Sequence, residues 1–164
     1  MTVTGIISLI ILFLCRYRTM VYLTRRERFS AAHRLFNPAL SDEENERIYG
    51  PCANPNWHGH NYILWVTIRG EVNPGTGYVV DLKQLSSIIR ERVIVKLDHK
   101  NINREVEFMK DKYVSTENLA TGIWDELEPA VRDIGVELHS VKLQETENNS
   151  VEYFGNRKQD GNNK

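Results

Sequence analysis

His58-Gly59-His60-Asn61-Tyr62-Ile63-Leu64-Trp65-Val66-Thr67-Ile68 is the stretch that decides the fold. Side chains alternate across a strand, so His60, Tyr62, Leu64, Val66 and Ile68 share one face, and Ile63, Trp65 and Thr67 share the other. A strand over residues 58–72 follows. Both faces are partly apolar, whereas a sheet with one wet face alternates more cleanly. The second face is therefore expected to meet helices, another sheet or another subunit.

Upstream, residues 21–35 predict an arginine-rich strand broken towards its end. Residues 37–49 read as a polar loop with a short helix over residues 41–44, and residues 50–56 (Gly-Pro-Cys-Ala-Asn-Pro-Asn) as a turn-rich loop. Downstream, Asn73-Pro74-Gly75-Thr76-Gly77 is a turn. Asp81 is the expected N-cap of a helix, with Gln84 as its capping-box partner. Leu82, Leu85, Ile88, Ile89, Val93 and Leu97 form the apolar stripe of that helix. A second helix begins near Ser115-Thr116-Glu117, with Leu119, Ile123 and Leu127 on its inner face and Pro129 near its end. Residues 136–145 and 150–154 predict two closing strands around the turn Glu147-Asn148-Asn149. The order ββααββ, with helices together and strands hairpin-linked, favours an α+β fold with an antiparallel sheet.

A chain of 164 residues suits one domain, and 41% apolar with 26% charged residues describes an ordinary soluble globular protein. The net charge of −1 lacks the basic excess expected for nucleic-acid binding, yet leaves room for a local cationic pocket and a phosphorylated substrate. Cys15 and Cys52 cannot build a disulfide framework, which points to a reducing compartment, the cytoplasm. The apolar run 6–15 is shorter than the ~20 residues that span a bilayer. It lacks the basic start and small-residue cleavage site of a signal peptide. Residues 1–19 are expected to be an upstream extension, with Met20 as the working start; a membrane anchor is the less favoured reading. Residues 20–154 form the domain, and residues 155–164, with nothing to bury, are expected to be disordered.

His58 and His60 lie two apart on one strand, so both rings point to the same side, and Gly59 removes bulk between them. His33 ends the preceding strand. If the two strands pair, the loop 36–57 brings His33 beside the other two. Three neutral imidazoles suit a catalytic zinc ion with one position left open. Alone, His-Gly-His could equally cap a strand. Cys52 sits in a loop before the pair, where a thiolate beside a metal or an imidazolium could act as a base; a single cysteine is more often a small buried hydrophobe. Asp98 could orient His99, although the pair also suits a polar helix C-terminus. Glu145 ends a strand before a turn, as a solvated charge would. His139 has no evident partner.

Taken together, the pieces resemble the 6-pyruvoyl-tetrahydropterin synthase family. The matching stretches are Phe29-Ser30-Ala31-Ala32-His33, Leu40-Ser41-Asp42-Glu43-Glu44-Asn45, Gly50-Pro51-Cys52 through His58-Gly59-His60-Asn61-Tyr62, Gly70-Glu71-Val72-Asn73-Pro74, Leu97-Asp98-His99-Lys100-Asn101, Ser115-Thr116-Glu117-Asn118 and Glu145-Thr146-Glu147-Asn148-Asn149. They run from about Arg25 to about Tyr153. The resemblance implies a T-fold: a four-stranded antiparallel sheet with two helices on one face, closing into trimeric barrels that stack as a homohexamer. It implies a carbon–oxygen lyase that takes 7,8-dihydroneopterin triphosphate, eliminates triphosphate and yields 6-pyruvoyl-tetrahydropterin for tetrahydrobiopterin biosynthesis. It implies zinc on His33, His58 and His60, with Cys52 as the proton-abstracting base. Asp98 and His99 would relay protons across a subunit boundary. Glu145 would anchor the pterin ring and also join the catalytic proton relay, and Thr116 would be a further pterin contact. Trp57 departs from the pattern, since relatives usually carry a small residue such as glycine there.

The nearest rival is the related 6-carboxy-tetrahydropterin synthase of queuosine biosynthesis, which takes the same substrate. There the cysteine usually lies closer to the His-Gly-His pair; here five residues separate Cys52 from His58, and the 40–45 stretch is present. A second rival is a zinc-stabilised binding or assembly module without activity. A zinc hydrolase is disfavoured, because no His-Glu-x-x-His helix exists.

Overall fold

The computed structural model describes residues 20–156, so the expectations for residues 1–19 and 157–164 lie outside the described residues. β1 (Met20–His33) and β2 (His58–Glu71) pair antiparallel over their whole length, from Met20 opposite Glu71 to His33 opposite His58. β4 (Glu137–Gln144) pairs with β2, and β5 (Ser150–Tyr153) with β4, both antiparallel. The four expected strands are all present, with ends displaced by no more than two residues. A fifth element, β3 (Lys100–Asn101), adds a two-residue parallel edge to β1 at Ala31 and Ala32, giving the order β3-β1-β2-β4-β5. Two residues cannot show an alternation, so periodicity does not predict this strand.

The inner row of the sheet is Phe29, Ala31, Tyr62, Leu64, Val66, Ile68, Leu138, Val141 and Leu143, all buried in one core with the helices. α1 (Asp42–Tyr49) opens with a full capping box: Glu44 N–H donates to Ser41 Oγ at 3.2 Å, and Ser41 N–H donates to Glu44 Oε2 at 3.0 Å. The box expected at Asp81 and Gln84 does not form. Asp81 does cap α2 (Leu82–Ile89), but its carboxylate accepts from Lys83 N–H at 2.8 Å. Asp is a good N-cap without a partner, so the glutamine is free to stay in solvent.

α2 does not run straight to residue 97. It widens into a π-helical turn, Arg90–Ile94, before a last α-turn, Val95–Leu97. The extra residue brings both Val93 and Ile94 into the core, where a regular helix would expose one of them. α3 (Thr116–Asp133) is capped by Ser115 and runs on through Pro129. An interior proline costs about 3 kcal/mol. Leu127 and Val131, fully buried on either side, together offset that, at about 1.5–3 kcal/mol each.

Ile63, Trp65 and Thr67 form the outer face of β2 and are half-buried, with Arg26 and Lys142 over the Trp65 ring at 5.9 and 5.5 Å. Nor is His139 without neighbours: its ring meets Tyr22 at 4.5 Å and Phe154 at 5.8 Å. Of the expected tail, Gly155 packs tightly on Trp124, and Asn156 accepts a hydrogen bond from Tyr153 at 3.1 Å. Among the described residues no helix is long and apolar enough to cross a membrane.

Candidate metal centre

The inner row that is aliphatic along most of β2 ends in imidazole. His33 and His58 are direct partners across the ladder, and His60 lies opposite Ala31. Their rings gather at centroid distances of 4.4, 5.0 and 5.2 Å, and one nitrogen from each lies within 4.8 Å of the others.

The protonation pattern suits a cation. His33 is buried, and its Nδ1–H donates to the Val114 carbonyl at 2.9 Å, which leaves the Nε2 lone pair facing the cluster. His33 Nε2, His58 Nδ1 and His60 Nε2 are buried and have no hydrogen-bond partner. Buried polar atoms are nearly always satisfied, so three orphans converging on one point leave a place for an ion. Burial, first of all, holds His33 and His58 below the ordinary 6.5, and the neighbouring histidines push the same way. Both rings are then neutral near pH 7, as ligation requires. The three histidines could hold a metal ion.

Glu145 overlooks the same point. Its Oε1 lies 3.5 Å from His33 Nε2 and 3.8 Å from His60 Nε2, and it accepts a 2.8 Å hydrogen bond from Thr116. It is largely buried rather than the solvated charge it resembles in sequence. The turn after it is held by Thr146, whose Oγ1 accepts from Asn148 and Asn149 at 3.3 and 3.1 Å. Burial first, and then this carboxylate, raise the Tyr62 phenol well above its usual value.

Cys52 is a free, half-buried thiol. It lines a cavity of about 420 Å³ together with His33, Thr116 and Glu145. Its loop is tied to the end of β1: Leu35 N–H donates to Cys52 O at 2.9 Å, and Arg34 Nε donates to Ala53 O at 2.7 Å.

Asp98 and His99 do touch, Oδ2 to Nδ1, at 3.0 Å. A left-handed backbone at His99, φ 59°, makes this contact between neighbours feasible. Ser30 N–H donates to Asp98 Oδ1 at 2.9 Å, and His99 N–H to Ser30 O at 2.6 Å, so the pair is docked on the β1 edge. The Ser30 amide, then His99, hold the Asp98 carboxyl below its ordinary range. Within one chain, Asp98 lines a different hollow from Cys52, of about 700 Å³, beside His60 and Glu145. The His99 ring is 82% exposed.

Three supporting residues escaped the sequence reading. Arg34 grips Ala53 O and Asp42, and Asn103 clamps the Arg34 backbone, accepting from its N–H at 3.0 Å and donating to its O at 2.9 Å. Buried Asn45 knots the 37–41 loop by donating to the carbonyls of Asn37, Leu40 and Ser41. Their polarity makes them look like surface residues; only the place of Arg34 beside His33 and of Asn45 in the 40–45 stretch signals otherwise, and nothing in the sequence marks Asn103.

Three histidines that could hold a metal ion, a free thiol and a half-buried carboxylate gather at one end of the sheet of an α+β fold. The comparisons agree. Residues 22–156 match the family described as 6-pyruvoyl tetrahydropterin synthase. A 6-pyruvoyl tetrahydrobiopterin synthase of Dictyostelium discoideum is 48% identical over 135 residues, 82% of this chain and 96% of that protein. One of Pongo abelii is 47% identical over 138 residues, 84% and 94% respectively. The structure of the Caenorhabditis elegans 6-pyruvoyl tetrahydropterin synthase superposes with a TM-score of 0.78 at 38% identity, covering 85% of this chain and 99% of that one. A 6-carboxy-5,6,7,8-tetrahydropterin synthase of Rickettsia typhi is 26% identical over 149 residues, 81% of this chain and 99% of that protein. The chain belongs to the 6-pyruvoyl tetrahydropterin synthase family.

Proposed function

We propose that this protein converts 7,8-dihydroneopterin triphosphate to 6-pyruvoyl-tetrahydropterin, releasing triphosphate, with zinc held by His33, His58 and His60. The observation that carries the reading is a set of three histidines with one ring nitrogen of each within 4.8 Å of the others and a buried, unpartnered nitrogen on each ring, in a chain 47–48% identical to synthases of this name. The lower identity to the carboxy-forming relative, and the longer spacing from Cys52 to His58, favour the pyruvoyl product.

Bound zinc would supply Lewis-acid polarisation of the hydroxylated side chain of the substrate. Cys52, as thiolate, takes a proton from a side-chain carbon and returns one in the rearrangement. The redox change is internal to the substrate, so no nicotinamide is required. Glu145 accepts N–H bonds from the 2-aminopyrimidinone edge of the pterin, and Thr116, bonded to Oε1, fixes its rotamer and borders the ring. Asp98 and His99 act from a neighbouring subunit: His99 exchanges protons with solvent, and Asp98 sets its orientation. A homohexamer, a dimer of trimeric barrels, would supply that neighbour and cover the outer face of β2. The free thiol suits the cytoplasm.

The test is incubation of purified protein with 7,8-dihydroneopterin triphosphate, with and without a chelator, followed by mass spectrometry. The pyruvoyl product should form only without the chelator. A carboxylate product with acetaldehyde release would replace the proposal with the queuosine-type reaction. No turnover with intact zinc would leave a binding or assembly module. Mixing Cys52→Ala and His99→Ala chains should restore part of the activity if the site is shared between subunits.

A further inference from the structure

Trp57 adopts a left-handed backbone, φ 67°, immediately before His58. A large aromatic residue seldom holds that conformation, which glycine adopts freely. Two contacts hold it here. Its N–H donates to Asn54 O at 3.0 Å, and the Arg104 guanidinium lies over its ring, 4.8 Å from the centroid. Arg104 belongs to the single helical turn Ile102–Glu105, whose Asn103 clamps the Arg34 backbone just after His33. That one turn therefore touches both approaches to the metal centre. The two approaches are unequally secured. The His33 ring is fixed through Nδ1 by its bond to Val114 O, whereas neither ring nitrogen of His58 makes a hydrogen bond among the described residues. The direction of the His58 ring depends on the backbone that enters it.

We infer that Arg104 is a positioning residue of the metal centre: stacked on Trp57, it holds the left-handed turn that aims His58 at His33 and His60. The inference rests on the reading of the three histidines as metal ligands. It couples two residues that a glycine before His58 would uncouple, because glycine needs no strap at positive φ.

The experiment is a double-mutant cycle on the full-length, metal-stripped protein, with zinc affinity read by competition against a chromophoric chelator. Arg104→Ala should weaken zinc binding about fivefold, the size of one exposed cation–π contact. In the Trp57→Gly background the same change should have no effect. Equal losses in both backgrounds, or no loss in either, would overturn the inference. So would a lowered unfolding midpoint of the metal-free chain with unchanged zinc affinity, the mark of a merely structural residue. If Arg104→Ala does not fold, Arg104→Met, which keeps the stem and drops the cation, carries the cycle. The parent reading fails separately: the unaltered chain would then bind no zinc, or bind it equally well with His58→Ala.

Discussion

The two halves of the β1–β2 ladder use one geometry for opposite ends. In one half, Leu64, Val66 and Ile68 point inward and vanish under the helices, fully buried. In the other, the same row continues as His60 and His58, with His33 facing His58. The strand period does not change; only the side chains do. The apolar half gains stability from burial, whereas the histidine half keeps three buried nitrogens unsatisfied. Each such atom costs about 1–3 kcal/mol. One half holds the fold, and the other stores a binding site at the expense of stability.

That division can be broken from either side. The largest expected effect is on chemistry above the histidine half: Cys52→Ala should lower turnover by about 10²–10⁴-fold, the range for a general base, with metal content by mass spectrometry unchanged. Next, Leu64→Ala should cost about 2–5 kcal/mol in urea unfolding, while zinc binding per folded molecule stays near that of the parent. His58→Ala should show the reverse signature. Metal affinity should fall more than about 100-fold, beyond what loss of an outer partner produces. Metal-free stability should hold or rise, because an unsatisfied buried nitrogen is removed. The smallest effect is the pH profile of the metal-free chain. His33 and His58 titrate below 6.5 in the folded state, so the unfolded chain binds more protons as pH falls through that value. Stability should be full above pH 6.5 and decline below it, flattening once the folded rings also protonate. A profile flat from pH 7 to pH 5, or one rising on acidification, would show that the histidine half carries no such strain.

Much of this was legible in the residues. Alternation marks β2, and the His33, His58 and His60 spacing marks the centre, because a period of two is a strict constraint. Less legible were features set by three-dimensional fit. The π turn at Arg90–Ile94 leaves the apolar stripe looking regular. β3 is too short for any pattern. Pro129 does lie near the end of its helix, but that the helix runs on through it to Asp133 rests on packing on both sides. The capping box moved to Ser41 and Glu44 because both helix starts carry a suitable pair, and sequence alone does not rank them. Asp98 and His99 were placed together, and they do meet, but only through a backbone turn that no spacing rule foretells.

The His33–His58 pairing has one more consequence. A one-residue slip between β1 and β2 would swing His33 to the opposite side of the sheet, so the three imidazoles coincide in a single alignment. An ion that binds only that alignment proofreads it. By mass action, metal at about 100 times its dissociation constant would favour the correct pairing by about 2.7 kcal/mol over any that cannot bind. Metal supply would then influence how much of the newly made chain is correctly paired, before any substrate is met.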